Sequence, residues 1–386
     1  MKLFSGCSTI GKTDTGGQKM KTIKKKLLPM ILVILLGMCG ILSGGCSAKA
    51  TPDHTGEMTV HFLDVGQGLS IFVRSGEETL LYDGGDKSSS SFVVSYLKEQ
   101  KVKEIDYLIS SHYDEDHVSG LVGCLNTFKV KKVIGADYVH DSGIYESFME
   151  GVRKQGLEVC HPKVGECFPF GTGTFTILSP AEINEKDSNE NSVAVKLTNG
   201  DNAFLFMGDA EYKSEERILD SKIDLECDVL SVGHHGSASS TSWDFLEAAV
   251  PEYAVISSGA GNPYGHPDAD TMEKLEAMEI EVYRSDKQGT VLCTTDGKTL
   301  TWSQEPCGDY TPGDPKDKGT RPGGSSSEQN TSGSGVASLG KVVWIPASGK
   351  KYHTIPDCGK MNPDTAEKIP LAMAKILGYT PCKKCN

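Results

Sequence analysis

The stretch SSHYDEDHVSG, beginning at Ser110, places two histidines and three acidic residues within the six positions from His112 to His117. It follows IDYLI, a run that reads as a buried strand. A solvated loop has no use for two imidazoles at that spacing, whereas a metal site does. One ion cannot readily take His112, Asp114, Asp116 and His117 together, but two neighbouring ions can if a bridging carboxylate and further ligands arrive from elsewhere. In a loop leaving a strand, alternate residues point one way, so His112, Asp114 and Asp116 are expected to converge with His117 beside them. Asp209 in FLFMGDA and the pair His234-His235 in DVLSVGHHGS also follow apolar, strand-like runs. Three strand ends thus each deliver His or Asp, a coincidence that satisfied core histidines do not explain.

These residues need elements to position them. Residues 58–85 read as two or three short strands broken by GQG and SGEE, and SSSFVVSYLKEQ as a helix opening on a serine cap. That helix has Phe92, Val93, Tyr96 and Leu97 on one face. Strand-like and helix-like runs then alternate to residue 302, with TNGDN forming a hairpin turn. Such a mixture over about 250 residues indicates a layered α/β or α+β domain. The polar clusters fall just after strands, where such folds place their chemistry. From Ser303 to Gly340 almost nothing can enter a core, so residues 303–340 read as a flexible linker, and residues 341–386 as a separate module.

The chain of 386 residues has a formal net charge of −13, of which residues 1–45 contribute +6, leaving −19 on the remainder. An extended basic face for nucleic acid is thereby excluded, and any such role must rest on a local site. From Met20, a basic stretch, an apolar run from Leu27 to Leu42 and small residues before Cys46 have the layout of a secretory signal. LSGGC resembles a bacterial lipobox, with Cys46 the lipidation position, although Leu42 lies four residues before the cysteine rather than three. Residues 1–46 are read as signal and lipobox, and 47–57 as a short linker. The body is therefore expected outside the cytoplasm, on the outer face of the cell membrane as a lipoprotein; secretion or an uncleaved N-terminal anchor are the alternatives. Residues before Met20 look like an upstream start. Cys160 and Cys167 bracket HPKVGE, at a spacing that permits pairing across a turn.

FLDVGQGLSIFV, LYDGG, SSHYDEDHVSGL, NENSVAVKL, FMGDAE, DVLSVGHHGS and NPYGHP together resemble a metallo-β-lactamase-fold hydrolase. More closely they resemble the extracytoplasmic hydrolase domain of ComEC-type competence proteins, which serve DNA uptake. Residues 58–302 are similar to that domain. The resemblance implies an α+β fold built as a four-layer αβ/βα sandwich, with two divalent metals, Zn or Mn, at the strand ends. Carried over, His112, Asp114, Asp116 and His117 match the family motif, Asp209 the bridging aspartate, and His234 or His235 the last imidazole. His234, nearer the strand end, is the favoured member. Asp114 stands where the general family has histidine, and the extra carboxylate favours Mn alongside Zn. NENS, with Asn191 and Ser192, occupies the place of the third first-metal histidine. Asp83 in LYDGG is expected to orient a ligand histidine. Asp116 and His266 are the expected catalytic residues, with His266 placed to protonate a leaving alkoxide, against an even alternative as a structural histidine beside Pro267.

In the tail, His353 and Cys358 lie five apart, and Cys382 and Cys385 form C-x-x-C. Three cysteines and one histidine make a closed tetrahedral set for one structural zinc, which would stabilise a module too small for a core of its own. It resembles the metal-binding domain of the Ada repair protein. The expected activity is hydrolysis of phosphodiesters, DNA in the first place, by metal-activated water in a stand-alone nuclease. Teichoic-acid-type wall phosphodiesters, or a surface-binding protein with a degenerate site, are the alternatives.

Overall fold

In MTVHF, IFVRS, ETLLY and NAFLF, successive side chains fall on opposite sides of a strand, and here both sides are largely buried. Strands of this kind must be covered on two faces, which dictates a layered fold. The computed structural model describes residues 56–314 and parts of 342–384; the expected signal, lipobox and Cys46, and tail residue Cys385, lie outside the described residues.

The chain opens with an antiparallel meander of β1 (Met58–Phe62), β2 (Ile71–Ser75) and β3 (Glu78–Tyr82). Helix α1 (Ser90–Glu99) leads to β4 (Glu104–Ile109), α2 (Glu115–Thr127) to β5 (Lys129–Ile134), and α3 (Gly143–Lys154) to β6 (Val159–Cys160). β3 to β6 pair in parallel, as crossover helices require. A second sheet repeats this plan. β7 (Cys167–Phe170), β8 (Gly173–Ile177), β9 (Val195–Asn199) and β10 (Asn202–Phe206) are antiparallel, the last two joined at the expected TNGDN turn. Helices α4 (Tyr212–Asp220), α5 (Trp243–Ala249) and α6 (Ala269–Ala277) then alternate with parallel β11 (Val229–Ser231), β12 (Tyr253–Ile256) and β13 (Glu281–Arg284). After a short α7 (Ser285–Gln288), β14 (Val291–Thr295) and β15 (Leu300–Trp302) return to the first sheet beside β1.

Period-two alternation sorts the side chains into three cores, which makes four layers. Val60, Phe62, Tyr82, Phe204 and Phe206 meet between the sheets. Phe72, Leu81 and Leu108 point outward against Val93 and Leu97 of α1 and Leu121 of α2. Leu205, Leu230 and Val282 do the same against Phe245 and Leu275 on the other side. The α+β sandwich expected from the sequence is therefore the observed fold.

Three local readings are corrected. Ser89 caps α1 by position, but its hydroxyl donates to the Asp86 carbonyl and accepts no helix N–H. The acidic stretch is not an extended loop: Asp114 is the N-cap of α2, and Asp116 and His117 sit in its first turn. Residues 303–314 do not begin a flexible linker. Arg284, fully buried on β13, needs acceptors for its guanidinium and takes the Asp309 and Thr311 carbonyls besides Asp286. Cys307 N–H donates to Val282 and Gly313 N–H to Pro267, tying the segment to the domain. Cys160 and Cys167 lie on strands of different sheets, and the Cys167 sulfur is 3.1 Å from the Thr176 hydroxyl.

The helix that carries Asp116 and His117 is seated by close backbone contact. Gly84 N–H donates to His117 O at 2.7 Å and Leu69 N–H to Asp116 O at 3.2 Å. A Cβ on Gly120 would overlap the Gly84 carbonyl oxygen, and one on Gly84 would meet the backbone of Gly120 and Leu121. Gly120→Ala is expected to destabilise the domain by about 1–3 kcal/mol, read as a lower urea midpoint. An unchanged midpoint would show that the approach is not tight.

Candidate metal centre

Each functional side chain leaves the carboxyl end of a parallel strand. Asp83 follows β3, Ser111 and His112 follow β4, Asp209 follows β10, and His234-His235 follow β11. The two parallel halves bring these ends together. Asp83 is fully buried and accepts from the Ser111 N–H at 2.7 Å, from the Ser111 hydroxyl at 2.6 Å and from His117 Nδ1 at 2.8 Å. With one proton held on Nδ1 by Asp83, His117 turns Nε2 toward the cluster.

Most of the cluster is buried, with Asp114 and Asp116 partly open. His112, His117, His235 and Asp209 are all buried. His117 Nε2 lies 3.2 Å from Asp209 Oδ1 and 3.9 Å from Asp116 Oδ1; His235 Nε2 lies 3.4 Å from Asp116 Oδ2 and 3.5 Å from Asp209 Oδ2. His112 Nε2 is 3.7 Å from Asp114 Oδ2. Yet His112 Nε2, His117 Nε2, His235 Nε2 and Asp209 Oδ1 have no hydrogen-bond partner. Orphaned buried donors and acceptors are costly, so atoms gathered without pairing mark a missing shared partner. Ligand atoms of His112, His117 and Asp209 lie within 4.8 Å of one another, as do those of Asp116, His117 and His235. His117, with only Nε2 free, can serve one ion, whereas Asp209 turns Oδ1 to His117 and Oδ2 to His235, so the donor set fits a two-ion centre bridged by this carboxylate.

Proximity sets the charges in the protein without ions. Burial opposes a proton on His117, but Asp209, Asp116 and Asp83 outweigh it and raise its pKa well above the ordinary value. Burial likewise opposes charge on His235, yet Asp209 and Asp116 push it up to about 10. Asp209, although buried, is held well below the usual carboxylate range by His117 and His235.

His235, not His234, is the imidazole that enters the cluster. Both residues adopt left-handed backbone, at φ 47° for His234 and 56° for His235. Such conformations cost about 1–3 kcal/mol each and persist where the surroundings fix them. Here His234 N–H donates to Gly208 O at 3.0 Å and His235 Nδ1 to Ser257 O at 2.9 Å, leaving His235 Nε2 for the cluster. His234 turns to Glu211, its Nδ1 3.0 Å from that carboxylate and its Nε2 3.7 Å from Asp209 Oδ2.

In the ion-free protein, burial and the charge on His235 push His266 down to about 4. It stands as the middle ring of a ladder, 6.4 Å from His235 and 5.6 Å from exposed Tyr264. Asn191 clips its own loop through both Asn184 backbone groups and touches none of the cluster. Ser192 does serve it, because its hydroxyl accepts from Asp209 N–H at 3.0 Å. Sequence reading missed Glu211 beside His234 and His140, whose Nε2 lies 3.1 Å from Asp114 Oδ1. His140 follows β5, so the rule that flagged the other strand ends applies to it equally.

In the tail, β16 (Val342–Ile345) pairs with β18 (Glu367–Pro370), and β17 (Lys351–Tyr352) with β19 (Thr380–Pro381). Among the described residues its core is Val343, Ile345, Tyr352 and Ala374, little for a stable fold. Ligand atoms of His353, Cys358 and Cys382 lie within 4.8 Å of one another. The Cys358 and Cys382 sulfurs are 3.9 Å apart, too far for a disulfide and suited to two thiolates on one ion.

The family model for the metallo-beta-lactamase superfamily matches residues 63–260. ComE operon protein 3 of Bacillus subtilis (strain 168) is 28% identical over 273 residues, covering 66% of this chain and 35% of that protein. Competence protein ComA of Neisseria gonorrhoeae is 33% identical over 248 residues, covering 63% and 33% respectively. The chain thus spans about a third of the length of these curated relatives. Among solved structures, the metallo-beta-lactamase fold protein YhfI from Bacillus subtilis matches with a TM-score of 0.42 and 17% identity, over 62% of this chain and all of that one.

Two outcomes follow from the geometry. His235→Ala is expected to weaken divalent-ion binding by about tenfold or more, and His234→Ala by much less, in a calorimetric titration. The reverse order would place His234 in the centre. Because His117 and His235 carry protons at pH 7 in the ion-free protein, ion binding must displace them. Binding heats at pH 7 should therefore depend on the ionisation enthalpy of the buffer, and affinity should weaken as the pH is lowered. Heats independent of buffer would contradict the assigned protonation.

Proposed function

Because the chain belongs to the metallo-beta-lactamase superfamily, we propose that it is an exported, metal-dependent phosphodiesterase whose substrate is DNA. The observation that carries the proposal is the set of buried, unpartnered ligand atoms on His112, His117, Asp209 and His235. Bound divalent ions, Mn or Zn, would supply Lewis-acid stabilisation of phosphoryl charge and activation of water near neutral pH. The chain's own residues do the positioning. Asp83 fixes the proton of His117, Ser192 anchors the backbone of Asp209, and Glu211 holds His234 on the partly exposed side of the cluster. There His234 offers a donor to a phosphate oxygen.

DNA as substrate is supported by similarity to a protein named for competence. Charge distribution supports a polyanion as well. Residues 341–386 hold eight lysines against three acidic residues, a local excess of positive charge on a chain that is otherwise acidic. We assign to the tail a structural zinc on His353, Cys358, Cys382 and Cys385, and to the N-terminus a lipid on Cys46 that holds the enzyme at the outer face of the membrane. Among the described residues no helix is long and apolar enough to cross a membrane.

The test is cleavage of single- and double-stranded DNA by the full chain with added Mn²⁺ or Zn²⁺. Asp116→Ala and Asp209→Ala are expected to lower the rate by about 100-fold or more. An intact protein that binds ions but leaves DNA uncut, while releasing phosphate-linked units from wall polymer, would overturn DNA as the substrate.

A further inference from the structure

Two features of the first-metal side remain unexplained by the strand-end residues. Asp114 replaces an imidazole with a carboxylate, which needs its unused oxygen satisfied if it is to point the other at an ion. No histidine comes from the NENS segment, where Asn191 is committed to its own loop. His140, on the loop between β5 and α3, lies against this gap.

The hydrogen bonds around His140 determine which of its nitrogens carries the proton. Ser142 is the N-cap of α3, and its hydroxyl oxygen accepts from Tyr145 N–H at 3.3 Å. The same oxygen is 2.8 Å from His140 Nδ1. An ionised carboxylate only accepts, so the nitrogen that faces Asp114 bears the imidazole proton, and the Ser142 hydroxyl hydrogen, free of the cap, is available to Nδ1. That Nε2 is the atom 3.1 Å from Asp114 Oδ1, while Asp114 Oδ2 faces His112 Nε2 at 3.7 Å. His140 is thus the mirror of His117: one histidine is oriented by a carboxylate so that its Nε2 faces the ions, and the other orients a carboxylate so that its oxygen does. The loop is held for this purpose, with Ser142 N–H donating to His140 O at 3.0 Å and Tyr138 hydroxyl accepting from Tyr113 N–H at 3.1 Å.

We propose that His140 is the positioning residue of the first-metal site: through Nε2–H it occupies Asp114 Oδ1, turns Oδ2 toward His112, and so compensates for the histidine this chain lacks. The inference rests on the two-ion reading of the centre. It assigns His140 no contact with substrate, and its loop, with Val139 and Asp141, forms part of the wall of a cavity of about 580 Å³ beside the site.

The experiment is titration of the full chain with Mn²⁺, followed by electron paramagnetic resonance and calorimetry, so that each ion is counted without reference to activity. Wild type should bind two Mn²⁺ in the hydrolase domain. His140→Ala should weaken one of them by about 10- to 100-fold and leave the other unchanged. His140→Gln, which keeps an N–H donor, should recover most of that affinity. Unchanged binding of both ions in His140→Ala would overturn the role. Equal loss in the Gln and Ala variants would overturn positioning in favour of direct ligation. If wild type binds a single ion, the dinuclear reading fails and the role fails with it, a result separate from either variant outcome.

Discussion

Gathering three imidazoles and two carboxylates in one largely buried pocket is the constraint on which the rest of this molecule depends. A charge removed from water costs several kcal/mol unless it is compensated, and here His117 and His235 lie 3.2 to 3.9 Å from the carboxylates of Asp116 and Asp209. In the protein alone, compensation takes the form of protons on His117 and His235 opposite Asp209 and Asp116. Divalent ions bound among these atoms would replace the protons.

Much of the fold can be understood as the support for this pocket. Two sheets, each with a parallel half, deliver strand ends from opposite sides, so ligands separated by more than a hundred residues meet. Asp83 spans the junction at β3 by holding Ser111 and His117 at once. The Gly84 and Gly120 backbones touch, which seats the first turn of α2 where side chains would hold it off. The strained pair His234-His235 sends one ring inward and the other toward Glu211. Strain of that sort is tolerable because surrounding hydrogen bonds fix it.

What the sequence revealed followed from short-range rules. Apolar runs ending in His or Asp identified β4, β10 and β11 and their site residues, and two-sided apolar strands implied covered sheets. What it hid depended on long-range demands. Nothing local shows that Arg284 would be buried and draw residues 309–311 onto the domain. Nothing in GHHG tells that left-handed backbone at both histidines sends the second inward. The helical start at Asp114 was masked by residues read as loop, although Asp is a common N-cap. His140 also follows a strand, but its partner Asp114 lies 26 positions earlier and nothing local pairs the two.

The central claim is that the cluster binds two ions, one at Asp116, His117 and His235 and one at His112 and Asp114, with Asp209 between them. The most direct measurement is a crystal structure of the protein soaked in Mn²⁺, with anomalous differences collected near the manganese edge. Two peaks in the hydrolase domain, each within bonding distance of its named residues, are predicted. A single peak, or ions bound away from Asp209, would contradict the account.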